Sequence, residues 1–592
     1  MKEAFALGLI DEERYYRALA AELGMTFHAE AVELSAGGEP AQILRAGIAP
    51  CGGRTTRHYQ FILAPEAPAL RAMVQTGPRG RRDVAVTTPR RFAEALRRAN
   101  GVALATQAAN LDEPGLARIS ARLPASRGQT IAAGIALMAA ALGGVFAPIQ
   151  SFCLLALSIS PVFLGLIFLR LSAAMEPQGP DLWRTYRWRL DDARLPIYTV
   201  AIPLYREEKV LEQLLRGLAA LDYPPAKLEI RLLIEADDAG MLKALAAIAL
   251  PAHIGVTIVP PGLPRTKPRA LNLALAEARG ALFTIFDAED IPDPQQLRLA
   301  AARFQRGPAE LACLQARLVI DHAPEGWLPG LFALEYAGLF EVINPGLLRA
   351  GLPILLGGTS NHFRTEALRA VGGWDAWNAT EDADLGVRLA RAGYRMGDLP
   401  SRTREEAPVS VKAWLGQRSR WIKGYLQTAM THSREPIKLV REAGLSTSLA
   451  FASLLIGTIV TALGYPLFAA TTACALWDGS LLAPAGTFTA VAAVFATVIG
   501  LLGIPALFLP PALGALRLGH RRLLRVLPLL PIYYGLVCVA AWMAFYAFFT
   551  CRFGWTKTEH GLARQRRPLE PAEPLTSGAA IPERPAPAAA RY

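Results

Sequence analysis

The chain alternates between long uncharged apolar stretches and a central region of shorter apolar runs. Residues 128–169 contain no charged side chain, and a break at 147–150 divides them into two segments that are each long enough to cross a bilayer. The stretches 445–477, 481–516 and 526–551 are similarly apolar, apart from polar residues, Pro and Gly at which spans can begin and end. The pattern predicts a transmembrane hairpin followed by at least three further membrane-spanning helices.

Basic residues near these stretches indicate an orientation. Arg127 precedes the predicted hairpin and Arg170 follows its apolar part. Because Arg and Lys beside spans stay on the cytoplasmic side, we expect the N-terminus and the central region in the cytoplasm. Basic residues also occur in the loop 520–525 and in the tail 552–567, with one clear span between them. Because these two assignments conflict, the sequence does not decide between five and six spans.

Size and charge agree with a membrane protein. The chain has 592 residues and a net charge of +12, and its mean hydropathy of +0.26 is too high for a fully soluble protein. The arginines lie beside apolar stretches, which favours contact with anionic lipids over nucleic acid. The six cysteines lack paired spacing and predict neither zinc nor a disulfide framework. The Pro- and Ala-rich residues 568–592 are predicted to be disordered.

The central region has a different pattern, in which short β-type runs alternate with helical segments. This is typical of an α/β nucleotide-binding domain. In open sheets of this kind, ligands lie beyond the carboxyl ends of the strands, so polar residues after an apolar run are the first candidates for chemistry. The predicted strands are residues 197–202, 229–234, 255–259, 281–286 and 311–320.

Acidic residues follow two of these strands. Asp237 and Asp238 come after the second predicted strand, and Asp287 comes after the fourth. A single acidic pair in such a place is usually a turn or a helix cap. Acidic groups at two strand ends, with a basic segment between them in the chain, favour a binding site.

The basic segment is 265–272, which precedes a predicted helix. Lys267, Arg269 and the helix N-terminus favour phosphate oxygens. The alternative is a solvated cationic loop with Asn272 on an exposed helix face.

Asp287, Glu289 and Asp290 form the next candidate group. Hard carboxylate oxygens spaced in this way can hold Mg²⁺ or Mn²⁺ while a diphosphate supplies further ligands. A cation would stabilise the charge that develops on a departing nucleoside diphosphate. Whether Glu289 or Asp290 is the second ligand stays open.

Two later motifs complete the set. Glu381 and Asp382 precede a helical stretch, and Asp382 is a candidate general base for an attacking hydroxyl; capping of that helix is the alternative. Arg420 can pair with a diphosphate, and Trp421 offers a flat surface to a sugar ring. Anchoring of the aromatic residues in lipid headgroups is the competing explanation.

In order and spacing, these motifs resemble family 2 glycosyltransferases, specifically the processive membrane group that includes bacterial cellulose synthase. The resemblance covers about residues 195–561. It implies a GT-A fold, an NDP-sugar donor and a divalent cation. It also implies a role for each matched residue: Asp237 or Asp238 at the nucleotide base, Asp287 and Glu289 at the metal diphosphate, Asp382 as base, and Glu381, Gln417, Arg420 and Trp421 at the acceptor and diphosphate site.

Three further stretches resemble known elements. Residues 357–362 are similar to an acceptor-pocket loop, and Phe553, Trp555, Thr556 and Lys557 are similar to a gating loop, with the lysine one position early. Residues 6–27 resemble the N-terminal domain of type II secretion ATPases, some of which bind cyclic di-GMP. That likeness implies cyclic di-GMP or an export partner as a ligand, and a helical docking module is the alternative.

Together these expectations define an architecture and a function. The fold class is an α/β GT-A (Rossmann-like) cytoplasmic domain inserted between transmembrane helices of the bacterial inner membrane, with a small α+β N-terminal domain. The expected function is inverting transfer, from a UDP-sugar by default, that elongates and translocates a β-linked exopolysaccharide. The alternatives are single transfer to a lipid-linked acceptor and an inactive receptor or export scaffold. The predicted parts are 1–120 (N-terminal domain), 128–171 (hairpin), 195–432 (glycosyltransferase domain), 445–551 (C-terminal helices), 552–567 (gating-like segment) and 568–592 (tail).

Overall fold

The computed structural model describes residues 10–35, 39–52, 58–65, 75, 80–111, 114–177 and 190–553. These residues form a small N-terminal α/β unit, a central α/β domain and a set of long apolar helices.

The N-terminal unit is built on a four-stranded sheet with the strand order β1-β4-β3-β2. Strand β4 pairs in parallel with β1 and β3, and β2 is antiparallel to β3. Buried Tyr16, Leu19 and Leu23 lie on one side of the first helix, at the spacing of an amphipathic helix packed on a sheet. The elements are β1 Thr26–Phe27, β2 Ile48–Pro50, β3 Phe61–Leu63, β4 Val84–Val86, α1 Glu12–Leu23, α2 Pro40–Ala46, α3 Pro89–Ala99, α4 Gly101–Ala109 and α5 Pro114–Ala117.

This unit contacts the central domain through buried polar groups. Arg97 donates to both carboxylate oxygens of Glu277 at 2.9 Å. The Asn272 amide donates to the carbonyl oxygens of Ala108 (2.9 Å) and Trp374 (2.7 Å). Asn272 therefore connects two parts of the chain, and the alternative of an exposed helix face for this residue is wrong.

The central domain contains a mixed eight-stranded sheet with the order β7-β6-β5-β8-β11-β10-β12-β9. Strands β5, β6, β7 and β8 are mutually parallel, and β11 is antiparallel to both of its neighbours. All five predicted strands are confirmed, with ends that differ by no more than two residues. The strands are β5 Tyr198–Leu204, β6 Leu228–Glu235, β7 Ile254–Val259, β8 Leu282–Ile285, β9 Ile291–Pro292, β10 Leu311–Ile320, β11 Asn361–Arg364 and β12 Arg395–Glu405.

Helices cover both faces of this sheet, which explains why its inner strands are buried over nearly their whole length. One buried cluster surrounds Phe283, Phe363 and Trp374, and another surrounds Tyr198 and Phe286. The helices of this domain are α8 Leu211–Ala219, α9 Ala239–Ala246, α10 Lys267–Glu277, α11 Gln296–Arg306, α14 Thr365–Ala370, α15 Glu381–Arg391, α16 Val411–His432 and α17 Pro436–Ala443; the buried helical segment α12 Trp327–Gly338, π-helix Leu339–Ile343 and α13 Asn344–Arg349 lies between α11 and α14 in the chain.

Six helical segments of the described chain are long and apolar enough to cross a membrane. Five of them occupy the predicted hairpin and the predicted C-terminal stretches. These are α6 Arg127–Phe146, α7 Pro148–Met175, the run of α18 Leu445–Phe451, π-helix Ala452–Ile456 and α19 Gly457–Trp477, then α20 Thr487–Arg517 and the segment ending in α21 Leu530–Thr550.

The sixth segment, Trp327–Arg349, was not predicted from the sequence. Its most apolar stretch is 83% buried inside the protein, against 0% for Arg127–Phe146. Its two glutamates are paired, Glu335 with Arg418 and Glu341 with Arg317. The segment is therefore packed between the central sheet and the other helices.

Close helix packing at Gly514 gives a first testable prediction. A Cβ atom at Gly514 in α20 would overlap the carbonyl group of Ala337 in α12. We expect Gly514→Ala to destabilise the protein by roughly 1–3 kcal/mol, because backbone cannot move aside as a flexible side chain can. Thermal unfolding of the detergent-solubilised protein measures the effect. Gly500→Ala is the matched control, since nothing lies within 4 Å of a Cβ there; equal unfolding temperatures for the two variants would contradict this packing.

Candidate active site

A cavity of about 450 Å³ lies between the carboxyl edge of the central sheet and the long helices. Its sheet side contains residues that follow strand ends, Asp287 and Glu289 after β8 and Glu405 at the end of β12. Asp382, Gln417, Arg420 and Trp421 line the same cavity. Predicted residues that are far apart in the chain thus line one cavity.

Lys267 and Asp287 form an ion pair in this cavity. Lys267 Nζ lies 2.5 Å from Asp287 Oδ1 and 2.7 Å from the carbonyl oxygen of Gly358. Burial lowers the pKa of Lys267, but the charges of Asp287 and Glu381 outweigh burial and raise the pKa above its ordinary value. Lys267 is therefore a permanent cation next to the candidate metal ligand.

The structure separates Glu289 from Asp290. Asp290 is 2% exposed, and its Oδ2 atom accepts hydrogen bonds from the backbone N–H of Asp287 (2.7 Å) and from the hydroxyl of Thr359. Burial, with the charges of Asp287 and Glu289, raises the pKa of Asp290 well above its usual range. Because Asp290 supports the loop while Glu289 lines the cavity, the geometry favours Glu289 as the second ligand.

The donor set fits a divalent cation that is completed by a substrate. The described residues contain no group of three or more His, Cys, Asp or Glu side chains arranged to hold a metal. Asp287 and Glu289 offer two carboxylates, and Mg²⁺ commonly binds through one or two carboxylates plus substrate phosphates. Burial and the charges of Asp290, Glu289 and Asp287 raise the pKa of nearby Glu405. A cation here would relieve this repulsion between carboxylates.

Asp382 lies in the first turn of α15 and lines the cavity. Its Oδ1 atom accepts a hydrogen bond from the Ala383 backbone N–H at 2.8 Å. Burial raises the pKa of Asp382 to about 6, although the charge of Lys267 opposes this shift. Burial and the charge of Asp382 raise the pKa of Glu381 to about 7. Thr380, the N-cap residue, makes no capping hydrogen bond with its side chain, which counts against a purely capping role for this motif.

Helix α16 holds the loop before Asp382. The Gln427 side-chain oxygen accepts a hydrogen bond from the Ala379 N–H at 2.8 Å, and the Asn378 amide donates to the Thr428 hydroxyl at 2.9 Å. Gly424 packs so closely on Thr380 that a Cβ would lie 2.5 Å from the Thr380 nitrogen. The glycine thus fixes the distance between the helix and the candidate base.

This contact gives a second prediction. Gly424→Ala is expected to lower turnover about 10- to 100-fold, because displacement of Thr380 also displaces Asp382. The matched control is Gly416→Ala on the same helix, where nothing lies within 4 Å of the new Cβ. Initial rates in membrane vesicles test both variants, and a rate for Gly424→Ala equal to that of the control would refute the positioning argument.

The residues of the last motif have two different roles in the structure. Gln417, Arg420 and Trp421 line the cavity at a helical spacing that places them on one face of α16. Arg418 instead pairs with Glu335, at 2.9 and 2.5 Å, and lies 4.5 Å from the Trp421 ring. Arg418 therefore anchors α16 to the buried helix α12, while Arg420 faces the acidic cavity.

Three predicted nucleotide-site residues lie outside the cavity lining. Asp238 caps α9 by accepting from the Met241 N–H at 3.2 Å, and Asp237 pairs with Arg265 at 2.8 Å. Arg269 is 1% exposed and pairs with Glu235 at 2.6 Å. Their assignment to the nucleotide stays a prediction.

Several cavity residues were not predicted from the sequence, among them Tyr205 and Glu405. Tyr205 directly follows β5. The strand-end rule that identified Asp287 applies to Tyr205 as well, whereas Glu405 ends a strand that was not predicted.

The loop similar to an acceptor pocket is divided between the cavity and the core. Gly357, Gly358 and Thr359 line the cavity. His362 lies in β11, where its Nδ1 atom is 2.6 Å from the Tyr198 hydroxyl, and burial lowers its pKa to about 3.

The segment 118–123, between the N-terminal unit and the hairpin, contacts the chain on both sides of the site. Asp375, in the loop before Asp382, accepts a hydrogen bond from the Ala121 N–H at 2.5 Å. Arg552, after the last helix, donates to the Ala121 carbonyl at 2.7 Å. Burial raises the pKa of Asp375 to about 6. The candidate base loop and the start of the gating-like segment thus share one support.

Of the gating-like residues, the structure describes Phe553, whose ring centroid lies 5.1 Å from that of Trp377. Trp555, Thr556 and Lys557 lie outside the described residues.

Comparison with known proteins identifies the central part of the chain. The family model described as "Glycosyl transferase family group 2" matches residues 282–509. This stretch includes Asp287, Asp382 and the Gln417–Trp421 motif. This match and the names of the relatives below confirm the predicted enzyme class, a glycosyltransferase.

The names of two similar proteins state different acceptors. A probable glucomannan 4-beta-mannosyltransferase of Arabidopsis thaliana is 24% identical over 256 residues, 41% of this chain and 46% of the relative. A beta-monoglucosyldiacylglycerol synthase of a Synechocystis strain is 26% identical over 280 residues, 46% of this chain and 56% of the relative. The chain spans about half the length of these relatives.

Among solved structures, a Pyrobaculum calidifontis mannosyltransferase in complex with GDP-Man and Mn²⁺ is 19% identical with a TM-score of 0.36. The likeness covers 59% of this chain and 99% of that one.

Proposed function

We propose that the protein is a membrane-embedded inverting glycosyltransferase that transfers a sugar from an NDP-sugar to an acceptor hydroxyl within the cavity. The observation that carries the proposal is that six predicted residues line one cavity: Asp287, Glu289, Asp382, Gln417, Arg420 and Trp421. A carboxylate pair, a half-buried base and an arginine beside a flat aromatic surface match the needs of donor, acceptor and leaving group.

On the donor side, Asp287 and Glu289 would hold Mg²⁺ or Mn²⁺, which neutralises charge on the diphosphate when bound. Lys267 and Arg420 are cations that line the same cavity and suit the departing phosphate oxygens. Tyr205 and Arg265 line the cavity near the end of β5, and they are candidates for contacts to the nucleotide alongside Asp237 or Asp238.

On the acceptor side, Asp382 takes the proton of the attacking hydroxyl. The hydroxyl oxygen forms a bond to the anomeric carbon from the face opposite the diphosphate, and the bond between that carbon and the diphosphate oxygen breaks. The nucleoside diphosphate leaves with the electron pair of the broken bond. Because the hydroxyl attacks from the face opposite the diphosphate, an α-linked donor gives a β-linked product. Trp421 offers its ring to the acceptor sugar.

Two acceptors have specific support. Elongation and translocation of a β-linked exopolysaccharide is favoured by the Gln417–Trp421 motif and by the name of the plant relative. Single transfer to a lipid-linked acceptor is favoured by the name of the diacylglycerol relative. UDP-glucose is the first donor to test, and GDP-mannose is the second.

The expected setting is the bacterial inner membrane with the catalytic domain in the cytoplasm. The N-terminal unit is a candidate site for cyclic di-GMP or an export partner, on the resemblance to secretion ATPases.

The raised pKa of Asp382 predicts the pH dependence of the reaction. Below a pH of about 6 the carboxyl group is protonated and cannot accept a proton, and above it the active carboxylate predominates. We therefore expect kcat/KM to rise with pH through about 6 and then to level off, since this ratio reports groups of the free enzyme. A flat profile between pH 5 and 8 would contradict the assignment. Preincubation at pH 5 followed by assay at pH 8 separates titration from unfolding.

Product analysis tests the proposal itself. Membrane vesicles given the active donor should form a product with inverted anomeric configuration, which NMR of the isolated product determines. A long polymer identifies elongation, and a small lipid-soluble product identifies single transfer. Retained anomeric configuration would refute the role of Asp382 as base.

A further inference from the structure

The cavity extends from the reaction centre into the space between the long helices. There its lining includes aliphatic side chains, and we call this aliphatic part the membrane half, defined by Leu166, Leu339, Ile343, Leu454 and Val537. Such surface interacts favourably with hydrocarbon, whereas sugar hydroxyl groups without hydrogen-bond partners are costly to bury there. The lining therefore suits an acyl or prenyl chain better than a sugar chain.

Irregular helical segments shape the membrane half. The π-helices Leu339–Ile343 and Ala452–Ile456 both contribute lining residues, as does Pro511 within α20. Single π-helical turns are rare and occur frequently at functional sites. Irregular backbone at membrane depth is tolerated where it is buried or lines a cavity. Three such features around one cavity indicate a ligand-binding site.

Arg170 is the charged residue that α7 contributes to this lining. Its Nε atom donates to the carbonyl oxygen of Ala506 at 2.9 Å. That carbonyl is available because Pro510, one turn later in α20, has no N–H to donate to it. Among the described residues no carboxylate pairs with Arg170. Its terminal N–H groups can therefore serve a ligand, while the Ala506 contact fixes the guanidinium.

Asn344 is a second hydrogen-bond donor whose side-chain amide is available to a ligand. It lines the cavity and is 5% exposed, and its Nδ2 atom makes no hydrogen bond to any described residue. A buried amide without a partner is costly, so an acceptor atom from a ligand would stabilise it. Arg170 and Asn344 both offer N–H groups, which is the chemistry that recognises an anion.

We propose that the membrane half binds a phosphate-bearing lipid, with the phosphate on Arg170 and Asn344 and the hydrocarbon chain along the aliphatic lining. Charge complementarity selects the phosphate, since a guanidinium in apolar surroundings is stabilised strongly by an anion. Because the same cavity contains Asp382, the lipid would present its head to the reaction centre. Its role as acceptor rests on the proposed function, whereas its binding does not.

Native mass spectrometry of the purified full-length protein, without nucleotide sugar, tests the binding. The probes are a short-chain phosphatidic acid, the matching diacylglycerol and inorganic phosphate. We expect phosphatidic acid to bind at least about tenfold more tightly than diacylglycerol, and inorganic phosphate not to displace it. This tenfold difference corresponds to one charge-assisted hydrogen bond.

Substitutions of Arg170 and Asn344 test whether these residues bind the lipid phosphate. Arg170→Gln and Asn344→Asp, which nearly preserve side-chain size, are each expected to weaken phosphatidic acid binding about tenfold or more. Arg127→Gln is the matched control, because Arg127 is exposed at the start of α6 and is not part of the cavity lining. Gel filtration confirms that each variant is folded, and Arg170→Lys keeps the charge if Arg170→Gln does not fold.

Two outcomes would overturn the proposal. Equal binding of phosphatidic acid and diacylglycerol would remove the phosphate contact. Equal loss of lipid in Arg170→Gln and Arg127→Gln would show general attraction to the membrane surface. Asp382→Asn is expected to bind phosphatidic acid like the wild type, so a failure of the proposed transfer reaction does not affect this test.

Discussion

Asp382→Asn is expected to lower sugar transfer about a thousandfold while binding of the donor is kept. General bases contribute about 10²- to 10⁴-fold to proton transfer, and an asparagine amide cannot take up the proton. The substitution preserves the size of the side chain, and the asparagine oxygen can still accept from the Ala383 N–H that Asp382 contacts at 2.8 Å. The loss should therefore appear in kcat and in kcat/KM to the same extent.

The control for this variant is Asp293→Asn, an exposed aspartate outside the cavity lining. It should insert in the membrane and turn over like the wild type. Full activity of Asp382→Asn would remove Asp382 as the general base from the mechanism. Inactivity of both variants would indicate a general defect in folding or insertion.

Asp287→Asn is expected to produce the second large effect, a loss of about a hundredfold or more in kcat/KM with a raised requirement for Mg²⁺ or Mn²⁺. The effect is large because the Asp287 carboxylate has two roles. It is a candidate metal ligand, and it pairs with Lys267 at 2.5 Å. Removal of one partner of this partly buried ion pair leaves the charge of Lys267 uncompensated.

Titration of the divalent cation distinguishes this variant from Asp382→Asn. The half-saturating cation concentration should rise for Asp287→Asn and stay unchanged for Asp382→Asn. Glu289→Gln should shift it in the same direction as Asp287→Asn. An unchanged cation requirement in both Asp287→Asn and Glu289→Gln would place the metal elsewhere or exclude a metal requirement.

Much of the fold and part of the site followed from local sequence patterns. Strands β5, β6 and β8 are buried on both faces, so their apolar runs were visible, and Asp287 was identified because it follows β8. The predicted hairpin and C-terminal stretches are helices because uncharged segments of that length satisfy their backbone hydrogen bonds only within a helix in lipid.

Charge partners distant in the chain could not be predicted. Arg269 was a reasonable phosphate ligand from its place at a helix start, yet the structure pairs it with Glu235, which lies 34 residues away. The buried helix Trp327–Gly338 was missed for the same kind of reason. Glu335 reduces its apolar signal, and its partner Arg418 lies far along the chain.

The shape of the cavity also could not be predicted from the sequence. Asn344 and Arg170 come from elements that are distant in the chain, and the two π-helices that line the cavity have no signature in the apolar pattern. Pro510 was visible, but the carbonyl that it leaves for Arg170 depends on how α7 packs on α20.

We propose above all that this protein transfers sugar from a nucleotide donor in the membrane. Release of nucleoside diphosphate by inverted membrane vesicles, offered a panel of NDP-sugars with Mg²⁺ or Mn²⁺, tests it most directly. Wild-type vesicles should release nucleoside diphosphate with one donor, and release should fall about a thousandfold with Asp382→Asn. Equal release by the two proteins, or none from the wild type with any donor and either cation, would contradict the proposed enzyme.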